Sequence, residues 1–260
     1  MDFLVIGDRS IFYYLLLIIM SLAILQALVI GGLFFLKRSG DRRANIFYGL
    51  LLISFGLTIL HNLLKIAEVY EDYPALSFLP LYFTLAFPTL LFYHVKLYLY
   101  PTYHFQWSDI KHFILPLGQF LFFVIIFLTA VEYKSELDRH FFNPFYGAME
   151  QFFYLSTFYA YLYFAHRYIR QKRKSSHQSK AVRQVWYLDT LVSVLFLLFS
   201  IHAIFVVTDF ICYEFLNINL RSVKTFVALG ILSFLALAFW LGVYGFQVLF
   251  WGRKVFGKLE

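Results

Sequence analysis

Long apolar runs alternate with short polar segments along this chain, and run length is the first informative quantity. A helix crossing about 30 Å of hydrocarbon needs about 20 predominantly apolar residues. Seven segments approach or exceed that length: 11–36, 44–69, 76–100, 112–131, 150–168, 186–215 and 225–251. The polar separators are Lys37–Arg43, the acidic turn Tyr70–Pro74, Thr102–Lys111, Glu132–Met149, a basic stretch from His166 to Val185, and Leu216–Lys224. Pro80 and Pro88 interrupt the third segment and Pro101 stops it, because proline lacks the N–H that a helix interior needs. The pattern predicts an all-α integral membrane protein. Seven transmembrane helices form one domain over residues 1–251, followed by a short basic tail, 252–260. Asp2, Asp8 and Arg9 precede the first run, and no small-residue cleavage site follows it. The first helix is therefore expected to be retained as an anchor.

Charge gives the bundle a direction. The stretch 166–185 carries seven Lys/Arg and no acid. The segments 37–43, 101–111, 167–185 and the tail together hold fifteen basic residues, against five (Arg9, Lys134, Arg139, Arg221, Lys224) in the alternate segments. The positive-inside rule then places the N-terminus outside and the C-terminus in the cytoplasm. The expected location is the bacterial cytoplasmic (inner) membrane, with the basic loops against anionic lipid. A mean hydropathy of +0.71 and 14% charged residues contrast with about 25% charged residues in soluble domains. The net charge of +7 thus reports topology rather than nucleic-acid binding. A single cysteine, Cys212, excludes an internal disulfide, a CxxC pair and a cysteine-based zinc cluster.

Known catalytic signatures are missing: there is no HExxH, GxSxG, Walker or GxGxxG motif. Of eight histidines, only His61 and His202 fall well inside predicted spans, and at depths that do not match as haem ligands would. No lysine stands midway along the last helix to carry a retinal; Lys224 is at its start. No cofactor and no metal site are therefore expected. Ionisable groups inside spans are costly and usually face the bundle interior. His61, Lys65 and Glu68 are spaced i, i+4, i+7, with Asn62 alongside; His202 and Asp209 are seven apart, which is one helix face. Glu150, Gln151 and Tyr154 open the fifth span at the same outer level. These nine residues form the expected ligand-binding cluster for a small polar or amphipathic molecule; the competing reading is that they only tie helices together. Arg170, Lys172, Arg173 and Lys174 form an expected cytoplasmic output surface.

Two segments carry a family resemblance. In Gln26–Leu64 an apolar stretch leads to Lys37-Arg38, then Ala44-Asn45 and a leucine-rich run through Gly49 and Leu60-His61; in Phe87–Pro116 the residues Pro88, Tyr93, Phe105, His112, Phe113 and Pro116 stand out. Trp186 and Tyr244-Gly245 add to it. The chain resembles the N-terminal seven-helix membrane region of bacterial membrane-bound regulators that end in a cytoplasmic AraC-type helix-turn-helix domain. The resemblance implies a sensor for signal transduction and transcription regulation, with DNA binding supplied after the seventh helix. No recognition helix occurs up to Glu260, so nucleic-acid contact is not expected from these residues. The alternative is a structural or accessory subunit whose aromatic faces bind a protein partner or a second copy. An intramembrane lipid-modifying enzyme using His61, Asp209 and Glu68 as acid/base groups ranks last, for want of a nucleophile or metal motif.

Overall fold

A computed structural model describes residues 5–6, 9–38, 40–175 and 179–250. Apart from a small antiparallel pairing of Val5 with Ser10 ahead of the first helix, the regular structure among the described residues is helical. Its helices are α1 (Ile11–Leu36), α2 (Arg42–Ile66), the single turn α3 (Val69–Asp72), α4 (Ala86–Leu99), α5 (Ile114–Phe127), α6 (Val131–Leu137), α7 (Gly147–Ser175), α8 (Ser179–Glu214) and α9 (Lys224–Phe250). The 3-10 turns Trp107–Phe113 lead into α5. Among the described residues five stretches, against the seven expected, are long and apolar enough to cross a membrane: Ile11–Leu36, Arg42–Ile66, Trp107–Phe127, Val185–Glu214 and Lys224–Phe250. This is a multi-pass membrane protein. The expected basic tail, 252–260, lies outside the described residues.

The outward faces fit a lipid solvent. On α1, Ile18, Leu22, Leu25 and Val29 form an exposed stripe at helical spacing, while Ala23, Ala27 and Gly31 point inward. That is the reverse of a soluble helix: large apolar groups meet the solvent and small ones meet neighbours, so that backbones approach closely. The closest approach is between α1 and α2. A Cβ on Gly49 would lie 2.9 Å from the Gly31 carbonyl oxygen, and one on Gly31 would lie 3.0 Å from the Gly49 oxygen. Neither position has room for a side chain. On its other side α1 meets α9, where Gly242 lies directly against the Gln26 amide.

At the basic end of the bundle, polar side chains fasten helix ends to one another. Tyr48 on α2 donates to the Leu241 carbonyl of α9 (2.6 Å), and His94 Nδ1 donates to Ala44 O (2.9 Å). Arg43 donates to the Pro101 and Tyr103 carbonyls at 2.5 and 2.7 Å. Asp109 accepts from the Tyr93 and Tyr103 hydroxyls and from the Gln106 N–H, with Lys96 Nζ at 3.6 Å.

Several expected boundaries move, and the basic stretch 166–185 is not a loop throughout, since α7 runs on to Ser175 and α8 begins at Ser179. The third segment, 76–100, is α-helical only from Ala86, so α4 has 14 residues and a length of about 21 Å. Residues 77–85 run without regular helix, around Pro80 and a positive φ of 60° at Phe78. The Glu132–Met149 segment is not an open loop; it contains α6 and a π-helical stretch, Asp138–Tyr146, running into α7. α2 ends at Ile66 rather than at 69, because Glu68 adopts a left-handed φ of 62°.

Candidate functional site

The unwound segment 77–85 is where the site begins. Away from water every backbone polar group needs a partner within the protein, so irregular backbone at depth survives only where neighbours supply one. Here side chains do so. Thr58 Oγ1 on α2 accepts from the Phe83 N–H (3.0 Å), and Gln119 Oε1 on α5 accepts from the Leu85 N–H (3.1 Å). The Gln119 amide nitrogen donates to Thr84 Oγ1 (2.9 Å) and to Glu150 Oε1 (2.8 Å). Thr84 in turn donates its hydroxyl hydrogen to Glu150 at 2.6 Å. The result is a closed polar cluster linking the unwound segment, α5 and α7, with Gln119, Thr84 and Glu150 all buried.

Beside this cluster lies a cavity of about 510 Å³. One wall is Thr58, Ile59, Asn62, Lys65 and Ile66, the face of α2 that recurs every three to four residues. A second is His202, Phe205, Val206 and Asp209 of α8, and a third is Phe226 through Leu235 of α9. Tyr82 and Thr84 of the unwound segment, Gln151 and Tyr154 of α7, and Met20 of α1 complete it. Behind it, Phe55 stacks on Phe87 (centroids 3.8 Å apart) and on the lining residue Phe234 (5.4 Å). Lys65 and Asp209 stand towards the ends of their helices, while Thr58, His202 and Leu235 lie deeper. The cavity therefore has charged groups near its mouth and an aromatic and aliphatic interior.

Six of the nine expected residues line this cavity: Asn62, Lys65, Gln151, Tyr154, His202 and Asp209. The other three are elsewhere. His61, one residue from Asn62, is turned by about 100° around the helix; its Nδ1 is 3.0 Å from the Tyr70 hydroxyl and its ring packs beside Tyr82 and Phe123. Glu68 leaves the α2 register at its left-handed φ, so the i, i+7 argument no longer applies to it. Glu150 sits in the polar cluster behind Thr84 rather than in the cavity. Sequence reasoning missed Thr58, Tyr82, Thr84 and Gln119. Gln119, a lone amide in an otherwise apolar run, is the signal that pointed to a buried partner.

The expected output residues lie at the end of α7. Arg170, Arg173 and Lys174 are exposed, Lys172 Nζ lies 5.2 Å from the centre of the Tyr100 ring, and Arg173 is 3.9 Å from Asp189 of α8. Lys37 follows α1 at the same end. Its Nζ donates to Val248 O (3.2 Å) over the Phe34 ring, and burial lowers its pKa to about 8. Among the described residues no group of three His, Cys, Asp or Glu side chains could hold a metal ion. Comparison with known protein families, curated proteins and solved structures finds no match for this chain.

Proposed function

We propose that this chain is the membrane-embedded sensor of a bacterial inner-membrane signalling protein. In this reading it crosses the membrane seven times, N-terminus outside. It takes a small polar or amphipathic ligand in its outer half, and ligand-dependent helix movement emerges at Arg170–Lys174 on the cytoplasmic face. The observation that carries it is the cavity of about 510 Å³, within the range of about 300–1,000 Å³ typical of small-molecule sites. Five helices and the unwound segment converge on it, so an occupant would touch elements that also reach the basic end. The resemblance to the membrane region of AraC-type regulators supports transcriptional output through a DNA-binding domain or a partner, and the exposed basic residues of α7 suit contact with anionic lipid.

The test uses spin labels at Arg170 and Tyr187, on α7 and α8, in a Cys212→Ser background reconstituted in nanodiscs, with medium-chain amphiphiles as ligands. The α7–α8 distance distribution should shift on ligand addition in the parent protein, and fail to shift in Lys65→Met and Asp209→Asn. His61→Phe, outside the cavity, should respond as the parent does. An unchanged response in both cavity variants would remove the site from the mechanism.

A further inference from the structure

The deep part of the cavity carries two hydrogen-bonding groups whose roles the surrounding contacts define. His202 Nδ1 lies 2.9 Å from Ser233 Oγ, and Ser233 spends its only hydroxyl hydrogen on the Gly230 carbonyl at 2.6 Å. Ser233 can therefore only accept from the ring, so in the neutral imidazole the proton sits on Nδ1 and Nε2 carries a lone pair. On α7, Tyr154 is 5% exposed, and its hydroxyl has no hydrogen-bond partner among the described residues. The two rings meet edge to face, centroids 6.2 Å apart. Both residues line the cavity, whose remaining deep wall is Ile59, Ile231, Phe234, Leu235 and Met20. A buried donor left unpaired is costly, and such a donor beside an open cavity is a natural contact for an occupant.

We infer that the cavity takes an elongated, uncharged amphiphile whose hydroxyl group sits between Tyr154 and His202. A hydroxyl is the smallest group that both accepts, here from the Tyr154 O–H, and donates, here to His202 Nε2. A carboxylate would accept from Tyr154 but offer nothing to Nε2, and an ether or ketone has the same defect. From Leu235 to Phe226 the cavity wall on α9 is apolar throughout and runs nine residues, about 13 Å along the helix, which suits a medium-length alkyl body. This assignment rests on the cavity being a ligand site, as proposed above, and adds the chemical class.

The experiment compares decanol, decyl methyl ether and decane on the reconstituted full chain, by thermal shift and by competition against a diazirine-tagged decanol whose crosslinks are mapped by peptide mass spectrometry. Decanol is added from water in one arm; diacylglycerol is built into the nanodisc bilayer in another, which separates a water-borne from a membrane-borne hydroxyl. Decanol or diacylglycerol should bind more tightly than ether or alkane, with crosslinks on α7, α8 and α9. Tyr154→Phe, which keeps the ring and its packing, should weaken hydroxyl-ligand binding about tenfold and leave decane unchanged. Equal affinity for all three decyl compounds, or an unaltered Tyr154→Phe, would overturn the hydroxyl assignment while leaving the cavity as a ligand site. No binding of any of them, with crosslinks scattered over the lipid-facing surface, would overturn the ligand-site reading itself.

Discussion

Replacing Gln119 with leucine tests whether the unwound segment depends on a side chain rather than on its own sequence. Gln119 is 2% exposed in the middle of α5, in a helix whose residues Leu117, Leu121 and Ile125 face outward. Leucine fits the helix and is at least as apolar, so a description by hydropathy alone predicts no loss or a gain. The contacts predict otherwise. The Leu85 N–H would lose its acceptor, and a buried donor left unsatisfied costs about 1–3 kcal/mol. Glu150 and Thr84 would each lose one donor, though they keep their mutual hydrogen bond, worth a further net loss of about 1 kcal/mol. The expected destabilisation is therefore about 2–4 kcal/mol, because one member of a paired network is removed while its partners stay buried. Denaturant unfolding in bicelles measures it, with Ile125→Ala as the lipid-facing control, expected within about 0.5 kcal/mol of the parent. Hydrogen exchange supplies a local readout: the Leu85 amide should exchange faster in Gln119→Leu. A variant as stable as the Ile125→Ala control, or an unchanged Leu85 amide, would refute the reasoning.

Two further expectations concern the framework. Gly49→Leu places side-chain atoms where a Cβ alone would already lie 2.9 Å from the Gly31 backbone oxygen, so α1 and α2 must part; the loss should reach at least about 2–3 kcal/mol, read by the same denaturation assay, whereas Gly32→Leu, with open space around it, should be tolerated. Lys37 has a folded-state pKa of about 8 through burial, below its ordinary 10.5, so between those two values the unfolded chain holds a proton that the folded chain has released. Stability should rise with pH across that window, and Lys37→Met should flatten the rise in melting temperature measured from pH 8 to 10.5.

Much of this protein is legible one residue at a time. Runs such as Ile11–Leu36 and Lys224–Phe250 are apolar on every face, and lipid rather than water is the only solvent that accepts them. The spacing of His202 and Asp209 likewise put both on one face of α8, and both line the cavity. What local pattern could not decide is which face of an all-apolar helix turns inward, since no polar stripe marks the outside. The small residues of α1 took the inside because close backbone contact with Gly49 is available only there. Nor could spacing foresee that α4 starts ten residues later than its apolar run, at Ala86 instead of Leu76. Pro80 and Pro88 marked the run as breakable, but the break persists because Thr58 and Gln119, 25 and 34 positions away in sequence, accept from the freed N–H groups. The same non-local bonds drew Glu150 out of the expected cluster, and one left-handed residue released Glu68 from α2. Sequence by itself determined the solvent and the long apolar runs, and it set His202 and Asp209 on one face of α8. Tertiary structure alone decided which polar residues share a cavity, because burial in a bundle depends on partners that lie far apart along the chain.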